Sequence, residues 1–136
     1  MLVLAGCGDI TSFHRAPVAV DGVLDLRNWD IARDGPVSLN GEWECHWQKL
    51  LVERDFQKSI HGSLITIPGS WNNVLTEEQT RATGIGYATL RLKILGNLDP
   101  ELIVFNKWTG SAHRLYCGDR LIFSAGVVAV QQAGYS

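Results

Sequence analysis

A close pair of glutamates, four histidines, three cysteines and a tryptophan–asparagine pair are the side chains of this 136-residue sequence best suited to chemistry. Glu42 and Glu44 stand at i and i+2, so on a strand they share one face with Cα atoms about 6.5–7 Å apart. That is close to the carboxylate separation of an inverting glycoside hydrolase. Catalytic carboxylates, however, project from different elements across a cleft, and the pair reads better as a charged outer face. His14, His46, His61 and His113 are too scattered for a local ligand motif. Cys45 and His46 are neighbours on one strand and face opposite sides of it. Neither a metal nor any other cofactor is expected. Gly84-Ile85-Gly86 leads into a strand rather than a helix, which rules out a phosphate cradle at a helix start. No nucleophile elbow occurs. The chain is therefore not read as an enzyme.

Trp71 and Asn72 are different, because they follow Pro68-Gly69 at the mouth of a long loop over residues 69–84. Loops of this length commonly carry function. An aromatic ring beside an amide suits stacking on a sugar and bonding its hydroxyls. The competing place for Trp71 is folded back over the sheet edge. Tyr87 and Arg91 share the polar parity of their strand and extend this candidate ligand face, unless that face is simply solvated.

These residues are positioned by strands and turns. Val23–Arg27 reads as a first strand, followed by the turn Asp34-Gly35-Pro36. Residues 37–47 alternate most clearly, with Val37, Leu39, Trp43, Cys45 and Trp47 on one face and Glu42, Glu44 and His46 on the other. Trp43 and Trp47 are expected as core anchors. Gly41 lies on the apolar side, where it marks a bulge or a close backbone approach. Residues 48–56 favour a short helix. Ser63–Ile67 is a strand stopped by Pro68-Gly69. Residues 86–94 alternate again, with Ala88, Leu90, Leu92 and Ile94 inward. Residues 101–108 form another strand, whose register past Asn106 assigns Trp108 no face. Two further strands flank Gly118-Asp119, which takes the centre of a tight hairpin. Cys45 and Cys117 both fall at inward parity and are expected as buried free thiols rather than a disulfide. Together these elements make an all-β, antiparallel β-sandwich with one short helix, over residues 23–136, behind an extended leader over 1–22.

Composition bounds the rest. Twelve basic against fourteen acidic residues give a net charge of −2, so nucleic acid is not an expected partner. Apolar runs fall far short of the roughly 18 residues of a membrane span. Leu4-Ala5-Gly6-Cys7 resembles the lipobox of bacterial lipoprotein signal peptides, although only six residues precede Cys7. The resemblance implies lipid attachment at Cys7 and an extracytoplasmic location, periplasmic or at the cell surface. One acyl chain gives marginal binding, so firm attachment needs a second anchor.

Three segments occur in a distinctive order. They are Leu39-Asn40-Gly41-Glu42-Trp43-Glu44-Cys45-His46-Trp47, Ile67-Pro68-Gly69-Ser70-Trp71-Asn72 and Gly84-Ile85-Gly86-Tyr87-Ala88-Thr89-Leu90-Arg91-Leu92. They resemble the N-terminal extracytoplasmic domain of bacterial 7TMR-DISM receptors, whose effectors include histidine kinases and nucleotide cyclases. Val23–Asp30 resembles that family's opening segment, and Ala112–Ile122 its later hairpin, so the likeness covers about residues 21–130. The same L-x-G-x-W, P-x-x-W and G-x-G-Y elements resemble the sugar-binding domain of family 2 glycoside hydrolases. Both resemblances imply a galactose-binding-like jelly roll, which has about eight strands. Six or seven are countable here, so a fragment ending before the closing strand is expected. Cys45 stands where the family usually has an aromatic, and Cys117 where it has an aliphatic residue.

The resemblance implies a sensory or ligand-binding module of a membrane receptor. Its ligand would be a small polar molecule, carbohydrate being the suited class, bound around Trp71, Asn72, Tyr87 and Arg91. Contact with the membrane would run only through the lipid at Cys7 or through a transmembrane region outside the chain. The alternatives are a non-catalytic sugar-binding domain of a family 2-like hydrolase and a purely structural interaction module. If Cys7 carries lipid, mass spectrometry of the membrane fraction will find a modified N-terminal cysteine; an unmodified, soluble N-terminus would end that reading.

Overall fold

The computed structural model describes residues 15–74, 81–82, 85–98 and 111–128. The expected lipid site at Cys7, most of the leader, the strand over 101–108 with Trp108, and Gly84 lie outside the described residues. What is described is mostly β-strand. In chain order the elements are β1 (Val23–Asp25), α1 (Ile31–Asp34), β2 (Gly41–Trp47), β3 (Ser63–Ile67), β4 (Ala88–Arg91), β5 (Lys93–Leu95), β6 (His113–Cys117) and β7 (Arg120–Ala125), with single 3₁₀ turns at Glu53–Gln57 and Trp71–Asn73. Among the described residues no helix is long and apolar enough to cross a membrane.

β2 is the centre of a three-stranded antiparallel sheet in the order β3-β2-β4. Its register places Trp43 opposite Ile65 and Gly41 opposite Ile67 on one side, and Glu44 opposite Arg91 and Trp47 opposite Ala88 on the other. Because side chains alternate along a strand, Trp43, Cys45 and Trp47 share a face with Ile65, Ile67 and Ala88. Cys45 and Ile65 are buried there with Val74 and Ala82, and both tryptophans pack against them. The alternation read from sequence holds here for Trp43, Cys45 and Trp47, whereas Val37 and Leu39, expected on the same face, precede the strand and pack on a different core.

A second small core forms around β1, which pairs in parallel with β5. Ala19, Leu24 and Leu26 are buried, with Leu39, Leu92 and Ile94 packed around them. The run 86–94 thus serves two cores. It pairs with β2 up to Arg91 and changes partner at Leu92, where the Lys93 N–H bonds the Gly22 carbonyl at 2.9 Å. Leu90, expected inward, is instead 37% exposed.

The helical expectation needs two corrections. The α-helix is Ile31–Asp34, where a turn was expected. Asp30 caps it by accepting from the Ala32 and Arg33 amides, and Gly35 closes it at φ 94°. Residues 48–51, expected to begin a helix, run across the sheet. The reason is tertiary, since the Thr89 hydroxyl donates to the Lys49 carbonyl (2.8 Å) and accepts from the Leu51 amide (2.9 Å). Both backbone groups are therefore withdrawn from any helix, and only the 3₁₀ turn at Glu53–Gln57 survives.

The hairpin β6–β7 has its expected two-residue turn, with Gly118 at φ 57° in the first central position. Cys45 and Cys117 are both free thiols, but Cys117 is exposed rather than buried. It sits at the turn end of a hairpin whose Tyr116, Leu121 and Phe123 are also exposed, so inward parity there meets no core among the described residues.

Gly41 is the tightest joint between the two cores. Its φ of 128° is unfavourable for any side chain, and a Cβ there would lie 2.9 Å from the Ala19 nitrogen. Ala19 is bridged to Gly41, and the Glu42 amide donates to the Ala19 carbonyl at 2.9 Å. Gly41→Ala is expected to cost about 2 kcal/mol or more, read as a lowered urea midpoint at unchanged m-value.

Candidate functional site

The two faces of β2 carry two different clusters. On the tryptophan face, Ser70 caps the 3₁₀ turn by accepting from the Asn72 amide at 3.3 Å, and the Val74 amide returns to the Trp71 carbonyl at 2.9 Å. This turn sets Trp71 edge-on against Trp47, with ring centroids 5.4 Å apart at 66°. Trp71 is folded back onto the core, while Asn72 is exposed beside it. Next to this turn lies an open cavity of about 280 Å³, lined by Leu64, Ile65 and Thr66 of β3, by residues 68–70 and by Val74. Its walls mix polar and apolar surface in similar amounts.

The opposite face was expected to be a charged, solvated surface and is not. His46 is 2% exposed. It lies under the chain that links β2 to β3, residues 48–62, whose Phe56 ring meets the imidazole edge-on at 5.3 Å and 67°. The Arg91 guanidinium lies over the same Phe56 ring, 4.2 Å from its centroid, a cation–π contact worth about 0.5–1 kcal/mol where exposed. Glu44 sits between them. Its Oε1 accepts from the Gly62 amide at 3.2 Å, and its Oε2 is 3.7 Å from Arg91 Nη1. His46 Nε2 is 3.3 Å from Glu44 Oε1, yet neither imidazole nitrogen makes a hydrogen bond. The contact is close but misaligned. Glu42, the other member of the glutamate pair, instead accepts from the Asp21 amide at 2.9 Å.

The electrostatics follow from this burial. Desolvation pushes the His46 imidazole below its ordinary 6.5; Glu44 pulls upward, while Lys49 and Arg91 push the same way as burial. The neutral ring is thus the folded form near neutrality. Burial also pushes the Cys45 thiol up to about 11, so the thiolate needed for nucleophilic or metal chemistry is suppressed. Among the described residues no group of three or more His, Cys, Asp or Glu could hold a metal ion.

The residues singled out from sequence do not converge. Trp71 belongs to the Trp47 face, whereas Arg91 pairs with Glu44 and therefore points to the other. Tyr87 has the parity of Arg91, and its carbonyl accepts from the Gln48 amide at 2.8 Å. A single ligand face combining Trp71 with Tyr87 and Arg91 is therefore corrected to two faces separated by the sheet. His46 was missed because its parity matched the glutamates. The only available signal was a non-charged residue ending an otherwise acidic stripe, followed by a connection carrying Phe56. Compared with protein-family models, curated proteins and solved structures, the chain matches none.

Because Trp71 is packed and Asn72 is not, their substitutions separate. Trp71→Ala is expected to lose about 2–3 kcal/mol, as an aromatic pair and part of a core are removed. Asn72→Ala should stay within about 0.5 kcal/mol. Urea denaturation of both variants checks this difference.

Proposed function

We propose that this chain is a non-catalytic, extracytoplasmic ligand-binding module of jelly-roll type serving a bacterial signalling receptor. Its ligand is a small polar molecule of the carbohydrate class. The observation that carries this reading is the cavity beside the Trp71 turn. The loop that sequence reasoning singled out for ligand contact supplies one wall of it, through residues 68–70 and Val74. A volume of about 280 Å³ lies near the lower end of ligand pockets, roughly 300–1,000 Å³, and suits a single sugar ring. Apolar walls from Leu64, Ile65 and Pro68 with hydroxyls from Thr66 and Ser70 match a ring that has both an apolar face and an equator of hydroxyls. Asn72 stands exposed in the turn between the lining residues Ser70 and Val74, and Trp71 packs on Trp47. Tyr87 and Arg91 have no part in this pocket. The jelly-roll assignment is supported by the antiparallel β3-β2-β4 sheet and the β6–β7 hairpin lying where the 7TMR-DISM resemblance expects strands. Attachment at Cys7 belongs to the same reading.

One observation favours a second reading, an interaction module. The hairpin β6–β7 exposes Tyr116, Leu121, Ile122 and Phe123, and exposed apolar clusters mark interaction sites.

A thermal-shift screen of neutral, acetamido and acidic monosaccharides separates the two. A bound sugar at about 100 times its Kd contributes about 2.7 kcal/mol, a rise of several degrees in Tm. Asn72→Ala and Thr66→Val should abolish that rise without changing the unliganded Tm. If no sugar shifts Tm, or if both variants respond as the parent does, the ligand-binding reading fails and the interaction module gains.

A further inference from the structure

The chain between β2 and β3 deserves a role beyond connection. Residues 48–62 lie across the outer face of the sheet as a strap, tied at a few points. The Gln48 amide bonds the Tyr87 carbonyl, Lys49 and Leu51 are held by the Thr89 hydroxyl, and the Gly62 amide bonds Glu44. Between these ties the strap rests on His46 through Phe56.

The imidazole beneath it is an unusual anchor. It is 98% buried by its 2% exposure, and both nitrogens lack hydrogen bonds. A buried polar group left unpaired costs about 1–3 kcal/mol, and a buried charge costs more. The charged groups facing it are Glu44 on β2, Arg91 on β4 and Lys49 on the strap itself. Glu44 is already engaged, by the Gly62 amide through Oε1 and by Arg91 at Oε2. A proton on His46 would add a further cation under the strap, beside a carboxylate misaligned for a hydrogen bond. Gly62 approaches the ring closely, since a Cβ there would lie 3.0 Å from His46 Cε1.

We propose that the strap over residues 48–62 is an acid-released latch: protonation of His46 lifts it from the sheet and opens the Glu44–His46–Arg91 face to solvent. Lifting hydrates the imidazolium and frees it to realign on Glu44, at the expense of the Gly62 bond and the Phe56 contacts. The sign follows from linkage. The open form binds the proton with the affinity of a free imidazole, at 6.5, and the closed form binds it less well. The strap is therefore fully held above about pH 7. As pH falls below 6.5, the opening constant rises by up to about tenfold per pH unit until the closed form also protonates. The latch involves a proton and the strap alone, so its test stands whether or not a sugar binds in the cavity beside β3.

Hydrogen exchange of the full chain at pH 7.5 and 5.0, with rates corrected for intrinsic exchange, reads the latch directly. The amides of Gln48, Leu51 and Gly62 should lose protection about tenfold or more at pH 5.0. The β2–β3 ladder amides should keep theirs. His46→Phe, which retains the ring packing without a titrating group, should hold the strap closed at both pH values. Equal strap protection at the two pH values overturns the proposal, as does a pH response surviving in His46→Phe. Simultaneous loss of the β2–β3 ladder also overturns it, because acid would then be unfolding the sheet. If His46→Phe does not fold, an NMR titration of the His46 ring in the parent chain decides: a midpoint below 6.5 supports the latch, and one at or above 6.5 overturns it.

Discussion

The structure depends on β2 being covered on both faces. An antiparallel strand with one buried face can leave its other face to water, and the sequence of β2 looks written for that arrangement. Instead the consecutive residues Cys45 and His46 are each 2% exposed, and on a strand consecutive residues point to opposite sides. Everything that touches the sheet is fixed by this. The Trp71 turn must return to the Cys45 side, because Trp43 and Trp47 offer apolar surface there. The strap lies on the His46 side, where its Phe56 ring meets the imidazole edge-on. Gly41 then admits Ala19 at the start of the strand, where any side chain would hold the second core away.

The two covers differ in physical kind. On the tryptophan side the contacts are apolar and insensitive to pH, with a thiol held firmly protonated. On the His46 side the cover is a mosaic of moderate terms. An edge-on ring pair is worth about 0.5–1.5 kcal/mol beyond burial, the cation–π contact is of similar size, and each net hydrogen bond contributes about 0.5–1.5 kcal/mol. Against these stands an imidazole with both nitrogens unpaired. Terms of this size and opposite sign leave the outer cover far closer to balance than the core, and the outer cover holds an imidazole that burial keeps neutral.

What was legible in the sequence were features set by local chemistry. The alternation of 37–47 located β2 and its apolar face, Pro68-Gly69 ended β3, and Gly118-Asp119 placed the hairpin turn, since each depends on side-chain parity or φ preference. The helix α1, capped by Asp30 and closed at Gly35, was not read, because a single turn is too short to show any periodicity. What was not legible were features set by distant partners. Thr89 removes Lys49 and Leu51 from a helix across nearly forty residues of sequence separation. The change of partner at Leu92 leaves the alternation intact, so the two cores looked like one. The candidate site suffered most. Parity correctly grouped Tyr87 with Arg91 and Glu44 with His46, but it carried no information on which side of the sheet the Trp71 loop would fold, nor that a strap would bury the polar face.

The cavity lies along β3 at the edge of the sheet, and the chain joins it closely to the His46 cluster. Gly62, whose amide is tied to Glu44, ends the strap and is followed at once by β3. Leu64, two residues on, lines the cavity and lies opposite Glu44 in the β2–β3 register. Glu44 thus holds the strap through Gly62 while its strand neighbour forms the cavity wall. A change in how firmly the strap is held reaches the first turn of β3 without crossing the core, since the Gly62 bond is the last tie before the ladder begins. One edge of one sheet is where the cavity wall and the strap share a backbone.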